Sequence, residues 1–220
     1  LVAVGSHGHS RPVGIVIGST ATELIHKAPC SVLVARTALD AFPIPTWRRA
    51  VDRAWRSLTH CDLNYTEAAG LQSLREEICA YLGASRGVRC DASQVFVTGG
   101  TQSSLELCTR TIVKSGDTVW IENPGYTGAL AAFRAAQLRT IGIAVDAGGI
   151  APGPQDWRQN RPRLIYTTPS HQYPTGTILG MQRRLDLIER AKAAGAVIIE
   201  DDYDSEFRYE GPPLPAMQGL

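Results

Sequence analysis

Short apolar runs of strand type alternate with stretches whose apolar residues recur at helical spacing, and this alternation narrows the available folds more than any other feature. In the 220 residues the runs are LVAV at 1–4, SVLVA at 31–35, QVFVT at 94–98, DTVWIE at 117–122, LRTIGI at 138–143, RLIYTT at 163–168 and AVIIE at 196–200. Between them, Trp47, Val51, Ala54, Trp55 and Leu58 form one helical stripe and Leu71, Leu74, Ile78 and Leu82 another. Further helices are expected near 102–113 and 126–136, and over the stripe Met181, Leu185, Ile188 and Ala191. Val/Ile-rich strands that alternate with helices predict an α/β fold, a mostly parallel sheet with helices on both faces. In such sheets ligands bind beyond the carboxyl ends of the strands, so functional residues are expected just after each run.

The alternation breaks once. Residues 1–36 read as strand, glycine-rich loop, helix and strand, a small parallel βαβ unit. TALDAFPIP at 37–45 has prolines at 43 and 45 and no apolar period, so it is expected to be a linker. A second domain is expected from 46 to 220.

Composition excludes several classes of function. Lys plus Arg is 22 and Asp plus Glu is 21, a net charge of +1, which gives the chain no electrostatic footprint for DNA or a membrane surface. No apolar run approaches the roughly 20 residues that span a bilayer. Cys30, Cys61, Cys79, Cys90 and Cys108 contain no C-x-x-C pair or zinc-type spacing, so no metal site is expected, and a reduced, cytoplasmic protein is. The chain opens at Leu1 without an initiator methionine, which reads as a piece of a longer protein.

Five loops carry chemistry. Gly5 and Gly8, followed by Gly18-Ser19, lie after the first run, where backbone amides can approach a phosphate. Gly99-Gly100-Thr101-Gln102 lies between QVFVT and a helix and offers an anion cradle, although the same residues also suit a tight turn with a cap. Asn123-Pro124-Gly125-Tyr126 puts an aromatic at a strand end, where it can stack on a planar ring or simply fill the rim. Pro169 to Gly176 follows RLIYTT with His171, Gln172 and Tyr173. Glu200-Asp201-Asp202-Tyr203 discharges an apolar strand into three carboxylates, a helix cap or the partner of a protonated heteroaromatic nitrogen.

Two resemblances bring these loops together. VGSHGHSRPVGIVIGSTATELIHKAPCSVLVAR is similar to the carboxyl end of a universal stress protein, a flavodoxin-like or Rossmann-like domain whose nucleotide-binding members share the spacing of Gly5, Gly8, Gly18 and Ser19. The other half of that pocket has no counterpart here, so ATP is not expected to bind well. The second resemblance, over about 42–220, rests on YTEAAGLQSLREEICAYLGASRGVRCDASQVFVTGGTQSSLEL, ENPGYTGA and TTPSHQYPTGTILGMQRRLDLIERAKAAGAVIIEDDYDSEFRYEGPPLPAMQGL. These resemble the fold-type I pyridoxal phosphate (PLP) aminotransferases, and within them the aminotransferase-like domain of MocR-type GntR transcriptional regulators.

The second resemblance implies that Gly100, Thr101 and Gln102 hold the cofactor phosphate, that Tyr126 stacks on the pyridine ring, that Asp201 pairs with the ring nitrogen, and that Tyr203 reaches the phenolic oxygen. It implies that Tyr65 is lent to the phosphate of a neighbouring subunit in a homodimer, although Ala68 stands where relatives usually have proline. His171 and Tyr173 lie near a position where many relatives carry an asparagine, and their role stays open. The lysine that forms the Schiff base in relatives lies well after the EDDYDSEF motif and has no match here. Lys27, Lys114 and Lys192 are the only lysines, and all three read as surface residues. The expectation is a truncated PLP-binding domain without a catalytic residue, binding PLP weakly and non-covalently. The alternatives are an effector-sensing module for an amino acid or amine, making no DNA contact itself, and a nucleotide-binding stress module.

Overall fold

Two short strands, β1 (Val2–Ala3) and β2 (Val32–Leu33), pair in parallel at the start of the chain. They belong to the first of two units, Leu1–Thr66, the second being Glu67–Leu220. The computed structural model describes residues 2–3, 32–33, 42–65, 67–203, 205 and 214–220. The expected helix of the βαβ unit and Gly5, Gly8, Gly18 and Ser19 lie outside the described residues. Helix α1 (Ile44–Ser57) follows in the first unit, with Pro45 in its first turn, where a missing amide costs nothing, and a 3₁₀ turn at His60–Leu63 comes after it. Its stripe of Trp47, Trp55 and neighbours forms as spaced, but none of its residues is buried.

The second unit is built on one five-stranded sheet. Chain order runs α2 (Gln72–Arg86), α3 (Thr101–Ile112), β3 (Thr118–Asn123), α4 (Thr127–Ala135), β4 (Arg139–Asp146), β5 (Gly149–Ile150), α5 (Pro154–Gln159), β6 (Leu164–Thr167), α6 (Met181–Ala194) and β7 (Val197–Glu200). The strand order is β5-β4-β3-β6-β7. β3, β4, β6 and β7 run parallel, and only β5 is antiparallel, folded back on β4. That hairpin was not legible as a strand pair. Gly149 takes φ of 95° and the Gly148 amide donates to Asp146 Oδ1 at 2.7 Å, a two-residue reversal that a glycine pair allows.

Alternation along β3 loads both faces of the sheet. Val119 and Ile121 pack with Leu105, Ala129, Phe133, Leu164 and Tyr166 on one side. Trp120 faces the other way and packs with Ile143, Ile150, Ile165, Leu179, Leu187 and Ala191. A parallel sheet needs such cover because its central strands send apolar residues toward both faces. Trp120 also donates through its indole nitrogen to the Asn160 carbonyl at 2.7 Å, so its burial leaves no polar atom unpaired.

One expected strand does not form. QVFVT becomes a short 3₁₀ turn over Ala92–Gln94 followed by extended backbone. Asp91 and Gln94 close a reciprocal capping box that draws Gln94 into the turn. Of the extended residues, Val97 bonds through its amide to the Ala69 carbonyl at 2.8 Å, and Phe96 and Val97 remain exposed. Apolar β-type residues make a strand only where a neighbouring strand supplies a ladder.

Candidate functional site

Strands β3, β6 and β7 are parallel neighbours, so their carboxyl ends open on one edge of the sheet. From that edge come Tyr126, Thr168, Tyr173, Asp201 and Tyr203, and the N-terminus of α3 adds Thr101. With Tyr166 beneath them they line a cleft of about 260 Å³. Three loops that are distant in sequence therefore meet because the strands before them share one direction.

The floor of the cleft is polar and paired. The Tyr166 hydroxyl donates to Asp201 Oδ2 at 2.5 Å, and the Asp201 amide donates to the Thr167 carbonyl at 2.9 Å. Burial, and then the bond to Asp201, push the Tyr166 phenol far above its ordinary value, so it stays a protonated donor. Asp201 Oδ1 takes no hydrogen bond among the described residues.

The walls are aromatic. Tyr126 meets Tyr173 edge to face with centroids 6.0 Å apart, and Tyr173 meets Tyr203 in the same way at 6.3 Å. His171 stacks on Tyr203 at 5.9 Å with planes 15° apart. Gln102 Nε2 donates to the Tyr126 hydroxyl at 3.1 Å, tying the first turn of α3 to this wall. Gly128 clears the space behind it, because a Cβ there would strike the Tyr126 ring and the Gln102 amide.

Of the residues expected from sequence, Thr101, Tyr126, Asp201 and Tyr203 share the cleft, while Gly100 caps α3 with φ of 137° and Gln102 stands one contact back, against Tyr126. Tyr65 lies in the first unit with its ring fully exposed. Of the two residues left open, Tyr173 lines the cleft and His171 lies against Tyr203.

Sequence reasoning passed over the layer beneath. Glu122, buried at the end of β3, accepts from Thr167 Oγ1 at 2.6 Å, Thr168 Oγ1 at 2.7 Å and Gln172 Nε2 at 3.1 Å. Gln172 also donates to the Pro124 carbonyl at 2.9 Å, so one carboxylate knits together the loops that present Tyr126 and Tyr173. Behind Asp201, Arg86 pairs with Asp202 and donates to Ser170 Oγ at 3.0 Å. Arg184 donates to the carbonyls of Leu179, Pro169 and Pro215. A carboxylate ending an apolar run, as in VWIE, is a signal that marks Glu122; Arg86 and Arg184, both buried, sit among ordinary helix residues and carry none.

Residues 35–217 match the family Aminotransferase class I and II. The chain belongs to the aminotransferase class I and II family. Residues 1–36 match the universal stress protein family. The chain is 42% identical over 183 residues to the probable rhizopine catabolism regulatory protein MocR of Rhizobium meliloti, covering 83% of this chain and 36% of that protein. It is 35% identical over 201 residues to the pyridoxine biosynthesis transcriptional regulator PdxR of Corynebacterium glutamicum, covering 89% and 44%. The chain thus spans less than half the length of these relatives. Among solved structures, a kynurenine aminotransferase of Pyrococcus horikoshii, in complex with PMP, superposes with a TM-score of 0.72 at 28% identity, over 81% of this chain and 46% of that one. LysN of Thermus thermophilus, complexed with N-(5′-phosphopyridoxyl)-L-leucine, gives 0.69 at 28% identity, over 80% and 44%. Among the described residues no helix is long and apolar enough to cross a membrane.

Proposed function

We propose that the cleft binds pyridoxal 5′-phosphate as the cofactor pocket of a MocR-type regulator's aminotransferase-like domain. The observation that supports this most is the convergence of Thr101, Tyr126 and Asp201 on one cleft. The donor set fits the group. The N-terminus of α3 presents backbone amides beside Gly100 and the Thr101 hydroxyl, a setting suited to a phosphate. Tyr126 offers a wall for a planar ring, and Asp201 retains one carboxylate oxygen without a hydrogen bond among the described residues, available to a ring nitrogen. When bound, the cofactor supplies an electron sink for the carbon beside a substrate amine.

Each residue has a defined task in this reading. Asp201 holds a proton at the ring nitrogen, and Tyr166 fixes the carboxylate's direction. Tyr126 and Tyr173 exclude water from the ring faces, and Tyr203 meets the phenolic oxygen. Tyr65 of the partner subunit reaches the phosphate in a homodimer. Lys114 and Lys192 are exposed and line no part of the cleft, so residues 67–220 hold PLP through non-covalent contacts, and weakly. ATP binding through residues 1–36 is not part of this reading.

The names of the relatives, a catabolism regulator and a biosynthesis regulator, favour sensing over turnover. On that reading an amino acid or amine is the effector, and DNA is left to other parts of such proteins. Titration of the purified chain with PLP, followed by visible absorbance and equilibrium dialysis, tests the proposal. Saturable binding that Asp201→Ala abolishes and Lys192→Ala preserves is expected. No saturable binding, or loss of an imine band in Lys192→Ala, overturns it.

A further inference from the structure

Cys79 and Cys90 are eleven positions apart in sequence, yet their sulfurs lie 3.6 Å from one another. The fold around them explains the approach. Helix α2 ends at Gly87, whose φ of 69° turns the chain back, and the Val88 amide then bonds to the Leu82 carbonyl at 3.3 Å. The returning segment runs alongside the helix that it has just left. Arg75, one turn before Cys79 on the same helix face, donates to the Ala92 carbonyl at 3.1 Å and anchors the segment's far end. The two thiols are therefore held together by a backbone bond on one side and the Arg75 side chain on the other, and each is half-buried.

We propose that Cys79 and Cys90 form a reversible intrachain disulfide, a thiol-oxidation site in the aminotransferase-like domain. A disulfide needs the sulfurs about 1.5 Å closer than they stand, a shift that two side-chain rotations supply. The oxidant is a peroxide. The Cys90 sulfur attacks one peroxide oxygen, the O–O bond breaks, and water leaves a sulfenic acid on Cys90. The Cys79 sulfur then attacks the Cys90 sulfur, the S–S bond forms, the S–O bond breaks, and a second water departs. Two electrons pass to the peroxide, and the two thiol protons end in the two waters. Burial, and then the neighbouring Cys90, raise the Cys79 thiol above its ordinary value.

The consequence reaches the cleft from two sides. Arg86, on the last turn of α2, pairs with Asp202 and bonds Ser170, next to Asp201 and in the loop of Tyr173. The segment after Cys90 continues through Val95–Thr98 to the Gly100 cap and Thr101. Cross-linking residues 79 and 90 closes the loop between these two supports and stiffens it.

The test treats the full chain with stoichiometric hydrogen peroxide, counts thiols with a chromogenic disulfide and maps peptides without reduction. Loss of two thiols, a linked pair of peptides carrying Cys79 and Cys90 that lacks two hydrogens, and reversal by dithiothreitol are expected. In Cys79→Ser a dimedone adduct on Cys90 should replace the cross-link, and the rise in thermal midpoint expected on oxidising the parent chain should not occur. The parent peptide map decides the matter even where a variant folds poorly. No thiol loss, or a bond that joins a different pair, overturns the proposal.

Discussion

The phenol of Tyr166, buried in the third parallel strand of the sheet, donates a 2.5 Å hydrogen bond to the Asp201 carboxylate at the end of the adjacent strand. One strand's interior thus orients the carboxylate at the next strand's end. Tyr166→Phe should lower stability by about 1.5–3 kcal/mol, the range for a hydrogen bond to a charged group. It should also weaken PLP binding, since Asp201 is then free to rotate. Urea unfolding and PLP titration of the variant check both, and a variant with wild-type PLP affinity would show that the bond has no orienting role.

Glu122 accepts hydrogen bonds from Thr167, Thr168 and Gln172 in the buried layer under the cleft. Glu122→Ala removes the acceptor from all three, and the cost is expected to be about 3 kcal/mol or more. The loss should appear in chemical denaturation and in PLP affinity together, because the loops bearing Tyr126 and Tyr173 lose their common anchor. A destabilised variant that binds PLP as the parent does would separate the network from the site.

Gly128→Ala tests the cleft wall without touching the core. Alanine favours α4 by about 1 kcal/mol over glycine, so helix propensity alone predicts a small gain in stability. The added methyl strikes the Tyr126 ring and the Gln102 amide instead. The expected outcome is a thermal midpoint that gains nothing and a clear fall in PLP affinity, read by differential scanning fluorimetry and absorbance titration. A stabilised variant with unchanged affinity would contradict the packing described.

Most of the sheet was legible because parallel strands buried on both faces carry near-continuous apolar runs, and VWI, LIY and VII supply them. The cleft was legible because glycine, proline, aromatic and acidic residues follow those runs. QVFVT misled, since β-type residues report a strand only when a partner is in place, and the Asp91–Gln94 box claims the first residue. The Asp146–Ile150 hairpin hid in a Gly/Pro-rich stretch. Arg86 and Arg184 were invisible because an arginine at a helical position reads as surface until the fold folds it inward.

Glu200 sets a pH dependence. Its Oε1 lies 4.0 Å from both Arg86 and Arg184 and takes no hydrogen bond among the described residues, and burial lifts its carboxyl above the ordinary value despite those two cations. The folded chain therefore binds this proton more tightly than the unfolded chain does. Stability contributed by the group is full below the unfolded value and declines as pH rises toward the folded one. Glu200→Gln should flatten that decline in denaturation midpoints measured from pH 4 upward, a range set by the usual carboxylate value of about 4.3. An unchanged slope would assign the decline to other groups.

The account turns on Asp201 keeping a pyridine nitrogen protonated, and nitrogen-15 NMR of ring-labelled PLP reads that proton directly. With the parent chain in excess, the resonance should lie at the pyridinium position at neutral pH. With Asp201→Asn, at concentrations that still bind the cofactor, it should move to the position of the neutral ring. The same chemical shift in both proteins would contradict the assignment of Asp201.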